Sequence, residues 1–192
     1  METLQERYER LCREPNDISE HLPVLFGYAS RSRSIVELGV RSGNSTTALL
    51  AGLSASALRE FAHWPRLDSV DIVASTLACD LSPLAPDVAW RLHWADSLKF
   101  APLPCDLLFI DTLHTRAQLA AELSRHAGHA RKWILLHDTT TFGDAGEDGG
   151  EGLWPAVIEF LAAGEGRWRI AKRFENQNGL TVLERVQAIQ QA

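Results

Sequence analysis

The chain has 192 residues, of which 45% are hydrophobic and 23% charged, the balance of a globular protein able to bury a substantial core without staples. Its net charge is −6 and it holds no long basic run, which argues against nucleic acid as a partner, since phosphate contacts need clustered Lys and Arg. No apolar run approaches the ~20 residues of a membrane span, and Met1–Arg7 is too charged for a signal peptide, so a cytoplasmic protein without a membrane partner is expected.

Residues 2–13 read as a polar helix, broken at Glu14-Pro15-Asn16. A second helix is expected to start at an Asp17 cap and to carry Ile18, Leu22, Leu25 and Phe26 on one face, with Pro23 in its first turn. A strand follows at 34–38, then the turn Gly39-Val40-Arg41-Ser42-Gly43 and a helix from 44 to about 61. Further strands are expected at 67–73, 88–94 and 105–110, the last nearly all apolar, as a strand buried on both faces should be. The pattern at Leu119 and Leu123 predicts a helix over 115–130, with His126 and His129 facing solvent.

A fifth strand is expected at 132–136. Phe142–Gly152, with five glycines and four acids in eleven residues, reads as a mobile surface loop too polar to pack. A helix at 153–163 and a hairpin of 168–174 with 180–183 close the chain. Asn178-Gly179 predicts a type I′ turn between them. Alternating strands and helices imply right-handed βαβ units and a mainly parallel sheet covered on both faces. Cys12, Cys79 and Cys105 form no C-x-x-C pair and read as reduced, mostly buried thiols.

The segment Glu37-Leu38-Gly39-Val40-Arg41-Ser42-Gly43-Asn44-Ser45 carries the first chemical signal. A strand ends near an acid, and two glycines at G-x-x-x-G spacing precede a helix whose free N–H groups can receive a carboxylate. It is neither the G-x-G-x-x-G of dinucleotide enzymes nor a Walker loop, nor a nucleophile elbow. Asp71 and Asp96 stand after the next two strands, on the edge where open α/β sheets bind ligands.

These residues resemble the first motif and following acids of class I S-adenosylmethionine-dependent methyltransferases, over about residues 34–184. The resemblance implies a doubly wound, Rossmann-like α/β fold with a mainly parallel seven-stranded sheet, a C-terminal antiparallel hairpin and helices on both faces. It implies a single domain, with 1–33 an N-terminal helical adornment and 185–192 a tail. S-adenosylmethionine is the implied cofactor, held by Glu37, Gly39, Arg41, Ser42, Gly43, Ser45, Asp71, Ile72, Asp96, Ser97 and Asp111.

Asp111 ends the fourth expected strand and Asp138 follows the fifth. Neighbouring strands lie ~4.8 Å apart, so both carboxylates can converge on one hard cation such as Mg²⁺. Ile110-Asp111-Thr112-Leu113-His114 with His137-Asp138-Thr139 is similar to the metal-dependent O-methyltransferases acting on sugar hydroxyls of macrolides, a group sometimes labelled "cephalosporin hydroxylase". That resemblance implies Asp111, His137 and Asp138 as metal ligands, with His137 in the slot of an acid. It also implies His114 as the general base, and a small-molecule or carbohydrate acceptor.

Two other readings stay open: an iron oxygenase built on the same histidines and carboxylates, and a non-catalytic cofactor-binding module. Whether the chain forms a homo-oligomer stays open as well.

Overall fold

The computed structural model describes residues 2–56, 64–74, 77–164 and 166–186, without the side chains of 78 and 79. The end of the expected 44–61 helix and the Cys79 side chain therefore lie outside the described residues. Cys105 is buried and Cys12 partly so, both as free thiols.

Helix α1 (Leu4–Arg13) opens with a capping box, in which the Thr3 hydroxyl accepts from the Glu6 N–H and the Glu6 carboxylate accepts from the Thr3 N–H, satisfying two otherwise unpaired helix-end donors. The next helix, α2 (Leu22–Ala29), starts later than expected, and Asp17 does not cap it. Asn16 instead accepts the Ile18 N–H and closes residues 17–21 as turns, while Asp17 pairs with Arg41. Pro23 sits in the first helical turn, where no N–H is needed.

The core comprises β1 (Ser34–Leu38), α3 (Asn44–Ser54), β2 (Arg66–Asp71), α4 (Leu77–Leu81), β3 (Ala89–Trp94), β4 (Cys105–Ile110), α5 (Arg116–His126), β5 (Ala130–His137), α6 (Leu153–Ala163), β6 (Trp168–Phe174) and β7 (Leu180–Arg185). The strands form a seven-stranded sheet in the order β3-β2-β1-β4-β5-β7-β6. Strands β1 to β5 pair in parallel, and β7 runs antiparallel to both β5 and β6.

Side chains alternating along the strands feed two cores. Ile35, Leu107, Phe109 and Leu135 meet the α2–α3 face, with Leu25, Leu49 and Leu53. Val36, Leu38, Leu108, Ile110 and Leu136 meet the α5–α6 face, with Leu119, Leu123 and Val157. Each fully buried apolar side chain contributes ~1.5–3 kcal/mol relative to exposure. None of the helices among the described residues is long and apolar enough to cross a membrane.

Several expectations need correction. Strand β2 stops at Asp71 rather than Val73, because the Asp71 side chain accepts the Val73 N–H and turns the chain. Helix α4 lies in a stretch with no expected element. Helix α5 is shorter than expected and hands over to a 3-10 turn at Ala127–His129. His129 is exposed as expected, but His126 is buried, with Nε2 2.8 Å from the Ser97 carbonyl.

The β6–β7 connection spans 175–179, and its left-handed residues are Gln177 and Gly179, so no two-residue type I′ turn forms. The Gln177 side chain explains this, since it donates to the Asn16 carbonyl and Ser19 hydroxyl and accepts the Glu20 N–H.

The glycine-rich segment 142–152 is packed rather than loose. An isolated bridge joins Ala145 to Glu151, Leu153 N–H bonds the Phe142 carbonyl at 2.8 Å and Arg116 N–H bonds the Glu151 carbonyl at 3.0 Å. Glycine makes such packing possible: a Cβ on Gly152 would stand 2.3 Å from the Phe142 carbonyl oxygen. Composition favoured mobility, but backbone pairing orders the segment.

Candidate active site

Strands β1, β2 and β4 end on one edge of the sheet, where a cavity of about 560 Å³ is lined by Gly39, Asp71, Asp96, Asp111, His114 and neighbouring residues. Gly39 has φ of +89°, and a Cβ there would lie 1.8 Å from the Asp111 carbonyl oxygen. Only glycine lets the β1 turn pass so close to the β4 turn. Gly43, at φ +78°, stands at the N-cap of α3.

Two acids shape this turn in different ways. Glu37 lies beneath the cavity, fully buried, and its carboxylate accepts from the Ser45, Thr46 and Ser69 hydroxyls at 2.7, 2.9 and 2.6 Å. Burial pushes its pKa up to about 7, against the pull of those hydroxyls. Ser45 is thus turned into the protein, whereas Ser42 and Arg41 are exposed on the turn. Asp71 lines the cavity and also accepts the Val40 and Arg41 N–H groups at 2.8 and 2.9 Å. Although burial alone would raise its pKa, the backbone donors Arg41, Val73 and Val40 hold it below the usual carboxylate range.

Ile72 is 76% exposed at the mouth of the cavity, beside Asp71. Asp96 accepts the Leu98 N–H at 2.9 Å and has Lys99 Nζ at 3.3 Å. Ser97 is buried and donates to Glu122 at 2.6 Å. Glu122 also accepts from Thr112 and Gln118, completing a polar floor that the sequence did not announce. Its residues lie in the segments after β3 and β4 and on α5, joined only by folding.

Asp111 and His114, which line the same cavity, belong to a charged cluster with Asp138 and His137. One ligand atom each from Asp111, His114 and Asp138 lies within 4.8 Å of the others. His114 Nε2 is 2.8 Å from Asp138 Oδ2 and 3.4 Å from Asp111 Oδ1. His137 approaches the same carboxylates from the buried side, with Nδ1 3.5 Å from Asp111 Oδ1 and 3.3 Å from Asp138 Oδ2. Asp138 takes a left-handed backbone at φ +59°, which ends the strand's alternation and lets it share a cluster with His137.

Burial alone would lower both imidazole pKa values. The carboxylates of Asp111 and Asp138 outweigh it, raising His114 to about 10 and His137 to about 9. Both aspartates are held below their ordinary value, against burial, by the two histidines.

Sequence reasoning missed two partners of the cluster. His21, fully buried, presents its ring edge-on to His137 at a centroid separation of 5.4 Å. Glu147 reaches His114 from the glycine-rich segment. Neither contact has a signature in local spacing.

Residues 36–139 match the model of the family described as methyltransferase domain. Among solved structures, a methyltransferase from Podospora anserina bound to S-adenosylhomocysteine is 16% identical, with 96% of this chain and 88% of that one covered and a TM-score of 0.61. An O-methyltransferase from Bacillus cereus in complex with the same product is 19% identical, with coverage of 95% and 90% and a TM-score of 0.61. The N-methyltransferase NodS from Bradyrhizobium japonicum is 14% identical, with coverage of 97% and 100% and a TM-score of 0.60. No curated protein sequence matches the chain. The family match spans more than half of the chain, and the glycine turn, Asp71 and the Asp111–Asp138 cluster all fall inside it, so the chain belongs to the methyltransferase domain family, as a class I S-adenosylmethionine-dependent methyltransferase.

Proposed function

We propose that the chain transfers a methyl group to a hydroxyl of a small molecule or sugar, with help from a divalent cation, probed first as Mg²⁺. The observation that carries this reading is His114 Nε2 beside Asp111 and Asp138, with His114 and Asp111 lining the same cavity as Asp71 and Asp96. The B. cereus neighbour is named an O-methyltransferase, which agrees with it.

The residues fit both groups the reaction needs. The Gly39 cradle, the exposed Arg41-Ser42 turn and Asp71 suit S-adenosylmethionine, which supplies a methyl group on a positive sulfonium. Asp111 and Asp138 suit a hard cation, and Asp138 Oδ1 is buried with no hydrogen-bond partner. A cation there would lower the pKa of the acceptor hydroxyl.

In this reading Asp71 orients the ribose end and Asp96 the base end of the cofactor. Asp111 and Asp138 hold the cation, with His137 supporting both carboxylates from behind. His114 receives the hydroxyl proton on Nε2 as the oxygen–methyl bond forms and the sulfur–methyl bond breaks. With its pKa near 10, His114 already carries a proton at pH 7 in the cation-free chain. Neutralising Asp111 and Asp138 removes the cause of that shift and returns the ring to a basic form.

Calorimetric titration with S-adenosylmethionine tests the cofactor half. Asp71→Ala should weaken binding by about 1.5–3 kcal/mol, the scale of hydrogen bonds to a charged group. Unchanged affinity in a folded variant would remove Asp71 from the site. Chelation that left turnover intact would remove the cation.

A further inference from the structure

We infer that Glu147 is a positioning residue for His114, fixing the imidazole at the mouth of the Asp111–Asp138 pair; this rests on the reading of His114 as the base. The contacts are specific. Glu147 Oε1 accepts the His114 backbone N–H at 2.5 Å, and the same oxygen lies 3.1 Å from the ring Nδ1. In return the Glu147 N–H donates to the His114 carbonyl at 3.2 Å. The two residues are therefore tied at backbone and side chain although 33 positions apart.

The ring is also held on its face. Phe142, at the start of the same segment, stacks on His114 with centroids 4.8 Å apart and planes 6° from parallel. Glu147 and Phe142 thus approach the imidazole from edge and face, leaving Nε2 toward Asp138 and Asp111. A base needs its accepting nitrogen within hydrogen-bond reach of one fixed point, and a ring on a turn has two free torsions. The Glu147 carboxylate removes that freedom, which is the orienting role a third group plays beside a nucleophile and its base. Glu147 itself lines the cavity, so it acts on His114 from the cavity side.

The comparison uses protein carrying labelled histidine and phenylalanine, as wild type, Glu147→Ala, Glu147→Gln and Glu151→Gln. Glu151 sits on the same segment but pairs with Arg116, and controls for general loosening. Calorimetry with S-adenosylhomocysteine first establishes that each variant keeps its cofactor crease. Proton NMR then reads the nuclear Overhauser contacts between the His114 and Phe142 rings, assigned by their loss in His114→Gln.

Glu147→Ala should lose these contacts, Glu147→Gln should keep a substantial part because its amide oxygen still accepts the His114 N–H, and Glu151→Gln should keep them in full. Wild-type contact strength in Glu147→Ala would overturn the assignment. So would equal loss in Glu151→Gln, since the segment rather than Glu147 would then hold the ring. If Glu147→Ala does not fold, Glu147→Asp, one methylene short, carries the same comparison. Failure of the wild type to bind S-adenosylhomocysteine would count against the methyl-transfer reading, while the ring contacts would still decide on Glu147.

Discussion

At the scale of single residues, the motif acid Glu37 is a buried tie beneath the glycine turn. It is fully buried under three hydroxyls that tie β1, β2 and α3 together. Its pKa rises from 4.5 to about 7, so folding favours the protonated form. The stability this gives is complete below pH 4.5 and lost as pH rises through about 7, a change worth up to about 3 kcal/mol. Glu37→Gln keeps the shape and removes the titration. Its melting temperature relative to wild type should therefore improve between pH 5 and pH 8. A constant difference across that range would mean that Glu37 is ionised throughout.

The elements that were legible in the sequence are those set by local pattern. The apolar run 105–110 and the strand at 34–38 appear with the expected bounds, as do the helix at 153–163 and strand 168–174. Gly39, Asp71, Asp96, Asp111 and His114 meet around one cavity because each follows a strand, and strand ends in a parallel sheet share an edge. What stayed hidden depends on contacts distant in the chain. Glu122 joins Ser97 and Thr112, His21 packs on His137, and Glu147 clasps His114.

The glycine-rich segment misleads most, because its composition describes a free chain whereas its order comes from backbone bonds. Gly152→Ala tests that order directly: the new Cβ, 2.3 Å from the Phe142 oxygen, should cost about 1–3 kcal/mol in displaced packing. Limited proteolysis should then cut within 142–152 several-fold faster than in the wild type. Equal rates would show that the observed packing does not protect the segment.

For the whole molecule, the cluster at the sheet edge couples stability to protons and, in the proposed reading, to a cation. Two histidines with raised pKa values share two aspartates with lowered ones, so the four groups titrate together and their contributions do not add. The sign is still fixed. His137 and His114 contribute stability that is full below pH 6.5 and fades as pH rises through about 9 and 10. The aspartates contribute stability above their ordinary 3.8, lost as pH falls through their lowered values. The cation-free protein should therefore weaken from pH 6.5 toward pH 10. A divalent cation would take the place of those protons between Asp111 and Asp138, so its binding should strengthen over the same interval. Since a ligand stabilises the fold according to its concentration over its Kd, the rise in melting temperature caused by a fixed Mg²⁺ concentration should be larger at pH 9 than at pH 6. Asp138→Asn removes the carboxylate's charge and should abolish most of the Mg²⁺ effect while leaving S-adenosylmethionine affinity largely unchanged, because Asp138 is not among the residues that line the cavity with Gly39 and Asp71. A melting temperature indifferent to Mg²⁺ and Mn²⁺ at both pH values would leave the cluster as an internal ion-pair network, with His114 fixed by protein charges alone.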